Sequence, residues 1–450
     1  MSHRSRPRIV IWTLSLLAVV LAGRANAPIA GVLATDPGPR GGSPAAGGPL
    51  SGLMQKDLDL FHAGQESIQE IDSVTGSVPD TGLGLGPRFN MDSCGGCHNF
   101  PAPGGSSPPV NPQVAVASKQ GATNTIPFFV TMNGPILHAF TKDKSNSAGH
   151  GGTHLYTVTG RSDAPGCVLE QPDFNALAAA NNLVLHMPLQ LYGAGLIEAI
   201  PAATIVANLA SDSAAKQALG ISGHPGPGGG RGRFLWKGQA LDLPIIAAAA
   251  YAGEVGVTNA IFSKEDDPSQ SCQFNPLPED TVNRSAPSVI DGLPDFAKIA
   301  GFAMLSAGPT PIPDTPSIAN GRNLFSAIGC ALCHTPVLQT GANEPMALRN
   351  RTAHLYSDLS LHHMGPGLAD GLASGNAGPD EFRTTPLWGI GQRIFFLHDG
   401  RTTDLLAAIA AHFSDAGATF PASEANAVTA AFNALSEGDK QDILNFLRAL

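Results

Sequence analysis

The stretch that decides the reading of this chain is Cys330-Ala331-Leu332-Cys333-His334. Two cysteines separated by two residues and followed directly by histidine form the pattern for covalent attachment of a c-type haem. The thiols add across the haem vinyl groups, and the histidine stands beneath the iron as an axial ligand. The pattern recurs at Cys94-Gly95-Gly96-Cys97-His98, so two covalently bound haem c groups are expected. A bare pair of this spacing also fits a zinc knuckle or a thiol redox site. Here both pairs run straight into histidine and use four of the six cysteines, which favours haem. The remaining two, Cys167 and Cys272, read as a disulfide in an oxidising compartment.

Outward from the second motif, Ser317 can cap a helix whose Ile318, Gly321, Phe325 and Ile328 share one face. The glycine lets a crossing helix approach closely. A terminal helix from about residue 439, with Ile443, Leu444, Leu447 and Leu450 at helical spacing, is its natural partner. This order resembles the cytochrome c fold. The fold class expected is mainly α, with two cytochrome c-like haem domains, long Gly/Pro-rich loops and minor β. The chain holds 52 glycines and 37 prolines.

Four segments follow. Residues 1–27 read as an export signal, with Arg4, Arg6 and Arg8, an apolar run, and Ala25-Asn26-Ala27 as cleavage site. An uncleaved anchor is the alternative, although the apolar run is short for a bilayer. Residues 28–56 read as a flexible leader. Residues 57–305 would form the first haem domain, and 306–450 the second, with a proline-rich hinge at 306–316. Helices are expected at 58–71, 176–187 and 202–219, and short strands at 126–130 and 155–159. The glycine-rich stretch 223–233 lacks the GxxxxGK[ST] pattern of a phosphate-binding loop.

Without residues 1–27 the chain carries 22 Lys+Arg against 36 Asp+Glu, a formal charge of −14. This excludes a nucleic-acid partner and leaves room for a small, basic electron-carrier protein. No later segment is long and apolar enough to span a membrane, so the mature form is expected to be exported, to a periplasm or beyond, without a membrane span.

An iron with one protein ligand is open to chemistry; one with two usually transfers electrons. For the second haem, His412 shares an apolar helical face with Leu405 and Ile409 and is the candidate sixth ligand. Met364 is its rival, and a plain core histidine the alternative. For the first haem, His138, His150, His154 and His186 all read as surface or hydrogen-bonded histidines rather than ligands. Peroxide cleavage needs an acid–base group that moves a proton between oxygens. Glu198 is the candidate, an acid inside the apolar run 191–199, which would raise its pKa. A carboxylate at a helix N-terminus is the other reading. Gln190 is a weaker candidate for positioning peroxide.

Two further stretches carry a resemblance. One is Gly86-Pro87-Arg88-Phe89-Asn90-Met91-Asp92-Ser93 running into the first motif. The other is Phe382-Arg383-Thr384-Thr385-Pro386-Leu387-Trp388 leading to Phe396-Leu397-His398-Asp399-Gly400-Arg401. Both resemble the bacterial di-haem oxidoreductase family, related to the di-haem cytochrome c peroxidases and to the di-haem enzyme of methylamine utilisation. The resemblance implies a peroxide-reactive haem on His98 and an electron-relay haem on His334. It supports Glu198 as the distal acid and puts His398 between the haems or near a propionate. It also bears on His412, which lies fourteen residues after His398; the peroxidases carry methionine at that offset and the methylamine enzyme tyrosine. A His/His pair would lower the potential relative to His/Met. Arg383, Arg393 and Arg401 are candidate propionate partners, and Trp388 reads as a buried aromatic. The family's calcium between the haems is in doubt, because the threonine and proline positions that help bind it read Arg393 and Phe395 here. Asn111 is the one residue to watch. The function implied is peroxide reduction; a substrate-free electron carrier and an oxidase of an organic or protein substrate are the rivals.

Overall fold

The terminal helix Glu437–Ala449 crosses the helix Pro316–Ala327 at a glycine. A Cβ on Gly321 would lie 1.9 Å from the carbonyl oxygen of Asp442, so no larger residue fits the crossing. Phe325 then fills the contact against Phe446, with ring centroids 5.4 Å apart. Thr315, rather than Ser317, caps the first helix by accepting from Ile318 N, and Ser436 caps the terminal one by accepting from Asp439 N.

The first half repeats the device. The helix Gln55–Gln69 packs on Asp295–Leu305. A Cβ on Gly64 would meet the Lys298 carbonyl oxygen at 2.1 Å, and Phe61 stacks on Phe302 at 5.1 Å. Each haem motif thus lies beside its own helix pair. Cys94 and Cys97 pack on a core built around Phe61, Ile68, Phe89 and Phe302. Cys330 packs on another, around Phe325, Phe396, Phe432 and Phe446. A third cluster, with Ile197, Leu355 and Trp388, joins the two halves.

The structure is a computed structural model that describes residues 33–143 and 152–450. Residues 34–450 form one unit. Among the described residues its regular structure is mainly helical, with two-stranded sheets only. His138–Thr141 pairs antiparallel with Leu183–His186, setting His138 opposite His186. Leu361–His363 pairs with Glu381–Arg383. No helix among the described residues is long and apolar enough to cross a membrane. The proposed export signal and His150 lie outside the described residues.

Several local expectations change. The leader is not loose where it is described: residues 34–50 are an extended strap bonded to both halves. Asp36 pairs with Arg448, Arg40 N donates to Gly391 O, and Leu50 N to Leu305 O. The helix expected over 176–187 covers only Phe174–Ala179. Asn181 turns to φ +52°, and Leu183–His186, with β-branched Val184 buried, becomes a strand. The helix over 202–219 breaks at Asp212 (φ +50°) into Ala202–Ala210 and Ser213–Leu219. Residues 126–130 form no strand, and 155–159 only the pair Tyr156–Thr157. Cys167 and Cys272 are bonded, as expected.

Candidate haem sites

Around the second motif, the residues after the attachment turn zip back along it. Asp358 N donates to Cys333 O, Ser357 N to Thr335 O, and His334 Nδ1 to the Tyr356 carbonyl at 3.1 Å. With Nδ1 committed, the Nε2 lone pair of His334 is left for a metal. His412 Nδ1 donates to Ala408 O at 2.7 Å, leaving its Nε2 free in the same way. Both rings line one cavity with Cys330 and Cys333. Burial and then the His412 charge push His334 down to about 4. The other walls are apolar, including Phe325, Ile390, Phe396 and Leu447. Arg393 opens onto this cavity with Nε and Nη2 buried and lacking a hydrogen-bond partner. Burial pushes Arg393 and Arg383 down to about 10. A buried, unpaired guanidinium calls for an anion, which a haem propionate would supply. Thiols, facing imidazoles, apolar walls and an unpaired cation together fit a haem. Met364 also lines the cavity. Arg401 does not; it pairs with Asp399 near the surface.

At the first motif, Ser93 Oγ accepts from Gly96 N and caps the short helix Cys94–Cys97. His98 Nδ1 donates to Gly105 O at 3.2 Å, again freeing Nε2. Burial lowers the His98 pKa. The acid in this site is Glu254, whose charge bears on Cys94, Cys97 and His98. Its carboxylate takes His138 Nδ1 at Oε1 and Asn90 Nδ2 at Oε2, 3.2 Å away. Burial opposes its ionisation, yet His138, His154 and His98 outweigh it and hold the carboxyl below the usual range. In spite of that burial, 36% of the Glu254 side-chain surface is open. The wide helical turn Tyr251–Val255 presents it; such turns recur at functional sites. His154 Nε2 lies 3.0 Å from Asp266.

Glu198 lies elsewhere. Its Oε1 accepts from Leu243 N at 2.8 Å, and the charges acting on it are Asp242, Arg233 and Glu344. None belongs to the first motif, and burial raises its pKa as anticipated. Gln190 Nε2 donates to Trp388 O at 2.6 Å, a bond to the core rather than to the first motif. Trp388 is a core residue. Asn111 spends both ends of its amide within the protein, on Pro135 O and Gln113 N.

His398 stands between the two sites. It lines the second cavity, stacks on Phe382 at 4.4 Å and meets Trp236 at 6.3 Å. On its other side it meets His186 at 5.7 Å. His186 contacts Phe140 at 5.0 Å, and Phe140 stacks on His138 at 4.4 Å. A series of rings thus connects Glu254's partner to the second cavity.

Residues 180–450 match the model of the family described as "Di-haem oxidoreductase, putative peroxidase". The chain belongs to this di-haem oxidoreductase family. It is therefore an oxidoreductase of the peroxidase type that works with haem. The match includes the second motif and begins beyond the first. Among solved structures, this di-haem oxidoreductase is similar to the diheme peroxidase BthA of Burkholderia thailandensis. The two are 14% identical, over 93% of this chain and 92% of that one, at a TM-score of 0.35. A MauG-like protein associated with microbial copper homeostasis is 17% identical over 50% of this chain and 71% of its own, at a TM-score of 0.29. No curated protein matches.

Proposed function

We propose that the chain is an exported di-haem c-type cytochrome that reduces peroxide. Cys94, Cys97 and His98 would hold the haem at which peroxide reacts. Cys330, Cys333, His334 and His412 would hold the haem that relays electrons. A bound iron would supply an exchangeable coordination position and pass on the electrons. The chain's own groups handle protons and position. Reducing hydrogen peroxide to two waters consumes two electrons and two protons. Glu254, ionised by its histidine neighbours, takes the proton of the inner oxygen and returns it to the outer one, which leaves as water. His138 and Asn90 hold the carboxylate at its two oxygens. The ring series from His398 through His186 and Phe140 to His138 bridges the two sites. A small electron-carrier protein would load the second haem.

One observation carries this reading: a partly open carboxylate, held by His138 and Asn90, whose charge acts on both thiols and the histidine of the first motif. The signal-like residues 1–27 and the Cys167–Cys272 disulfide support export to an oxidising compartment. The test is a pair of substitutions in protein carrying two haems. Glu254→Gln should slow peroxide consumption by about 10²- to 10⁴-fold, the usual worth of an acid–base group, with haem content unchanged. Glu198→Gln should leave the rate near wild type. Equal rates for wild type and Glu254→Gln would remove Glu254 from the mechanism.

A further inference from the structure

His362 lines the second cavity, and its ring is held at both nitrogens. Nδ1 lies 2.8 Å from Glu424 Oε2 and Nε2 3.0 Å from Asp358 Oδ2. A carboxylate only accepts, so each ring nitrogen must carry a hydrogen. A neutral imidazole has one such hydrogen; the ring is therefore an imidazolium. Glu424 is held as a carboxylate: its Oε2 also accepts from Ser222 N at 3.0 Å and Gly223 N at 2.9 Å, and its Oε1 from Ser222 Oγ at 2.8 Å. On Asp358, Oδ1 accepts from Ser360 N at 3.0 Å and Oδ2 is left to the ring. The three side chains are 4%, 0% and 7% exposed for His362, Asp358 and Glu424.

This charge is tied to the haem-attachment turn itself. Asp358 N donates to Cys333 O, and the His362 ring lies 3.9 Å from Cys333 Sγ. The loop over the ring is shaped for it as well. Gly223, at φ +57°, would place a Cβ 2.5 Å from His362 Cε1, so only glycine lets the loop close there.

We propose that His362, clamped by Asp358 and Glu424, is a positioning residue that raises the reduction potential of the second haem. The inference rests on the reading that a haem is bound through Cys330, Cys333 and His334. The clamp as a whole carries one net negative charge, two carboxylates against one imidazolium; against that background the imidazolium stabilises the reduced, less positive iron relative to a neutral side chain in its place. Groups outside the ligand set are a recognised lever on potential. Two imidazole ligands, His334 and His412, would lower the potential relative to a thioether partner, and the His362 charge cancels one of the two carboxylate charges that would lower it further.

The experiment is a potentiometric titration of the holoprotein, following each haem by its spectrum. Haem content comes first: a wild type with no haem on the second motif defeats the di-haem reading itself, before any variant is made. Given two haems, His362→Gln should shift the second haem to lower potential and leave the first unchanged. His362→Lys, which keeps the charge, should restore the wild-type value. A purely structural role would let both variants shift alike, and that result, or no shift in His362→Gln, overturns the proposal. Should His362→Gln not fold, nitrogen NMR of the His362 ring in reduced wild type gives the same decision. Two protonated nitrogens at about pH 8 are expected for the clamped cation; one protonated nitrogen overturns it.

Discussion

Asp36 and Arg448 form a two-bonded ion pair, 2.7 Å at Nε and 2.6 Å at Nη2, that fastens the strap to the terminal helix. Their side chains are 6% and 4% exposed. Arg448 also donates to Arg393 O at 2.9 Å, and Arg393 faces the second cavity. Removing one partner of a buried pair leaves the other charge uncompensated, at a cost of about 3–5 kcal/mol. Asp36→Ala should therefore lose roughly that much stability in denaturant titrations of the holoprotein. It should also expose residues 34–50 to proteolysis. An unchanged midpoint would mean that the strap rides on the surface.

Gly321 predicts a second cost. With Asp442 O only 1.9 Å from where a Cβ would sit, Gly321→Ala must push the two helices apart. Overpacking of this kind costs about 1–3 kcal/mol. The same change at Gly64, facing Lys298 O, should destabilise comparably. If either alanine variant unfolds at the wild-type midpoint, the close crossing there is not what holds that helix pair.

The second half was legible because its signals are local. Gly321, Phe325 and the terminal apolar residues recur at helical spacing, and the haem motif is contiguous. The first half uses the same glycine-and-aromatic device in Phe61 and Gly64, but the partner helix lies more than 200 residues away. Spacing alone does not reveal it. The acid shows the limit most clearly. An acid in an apolar run is a fair signal for a raised or useful carboxylate, and Glu198 satisfies it. So does Glu254, after the run 243–253. Only tertiary contacts separate them: Glu198 meets the backbone of Leu243, while Glu254 meets His138 and Asn90. Asn90 belongs to the stretch that carried the family resemblance, a clue that needed its partner. The strap was missed because Gly, Pro and Ala composition is equally compatible with a loose linker and with an extended chain lying on a surface.

His412 makes the sharpest spectroscopic claim. Its free Nε2 and that of His334 share a cavity with Met364. His412→Ala should convert the second haem to high spin without loss of attached haem. Met364→Leu should leave its spectrum as in wild type. The reverse pattern would assign the methionine as ligand and imply a higher potential for that haem.

Glu424 gives the pH prediction. Burial opposes its ionisation, but the His362 hydrogen bond and charge and the Ser222 donors outweigh it and pull the carboxyl to about 2. An unfolded glutamate titrates near 4.3. A carboxyl lowered on folding contributes stability that is fully present above about pH 4.3 and lost as pH falls through about 2. The contribution is of order 2–3 kcal/mol. Glu424→Gln should therefore be less stable than wild type at about pH 6, with the gap closing steadily toward pH 2. Denaturant titrations across that range decide it. A gap that stays constant with pH would show that the loss comes from packing, and that the carboxylate facing His362 carries no special charge.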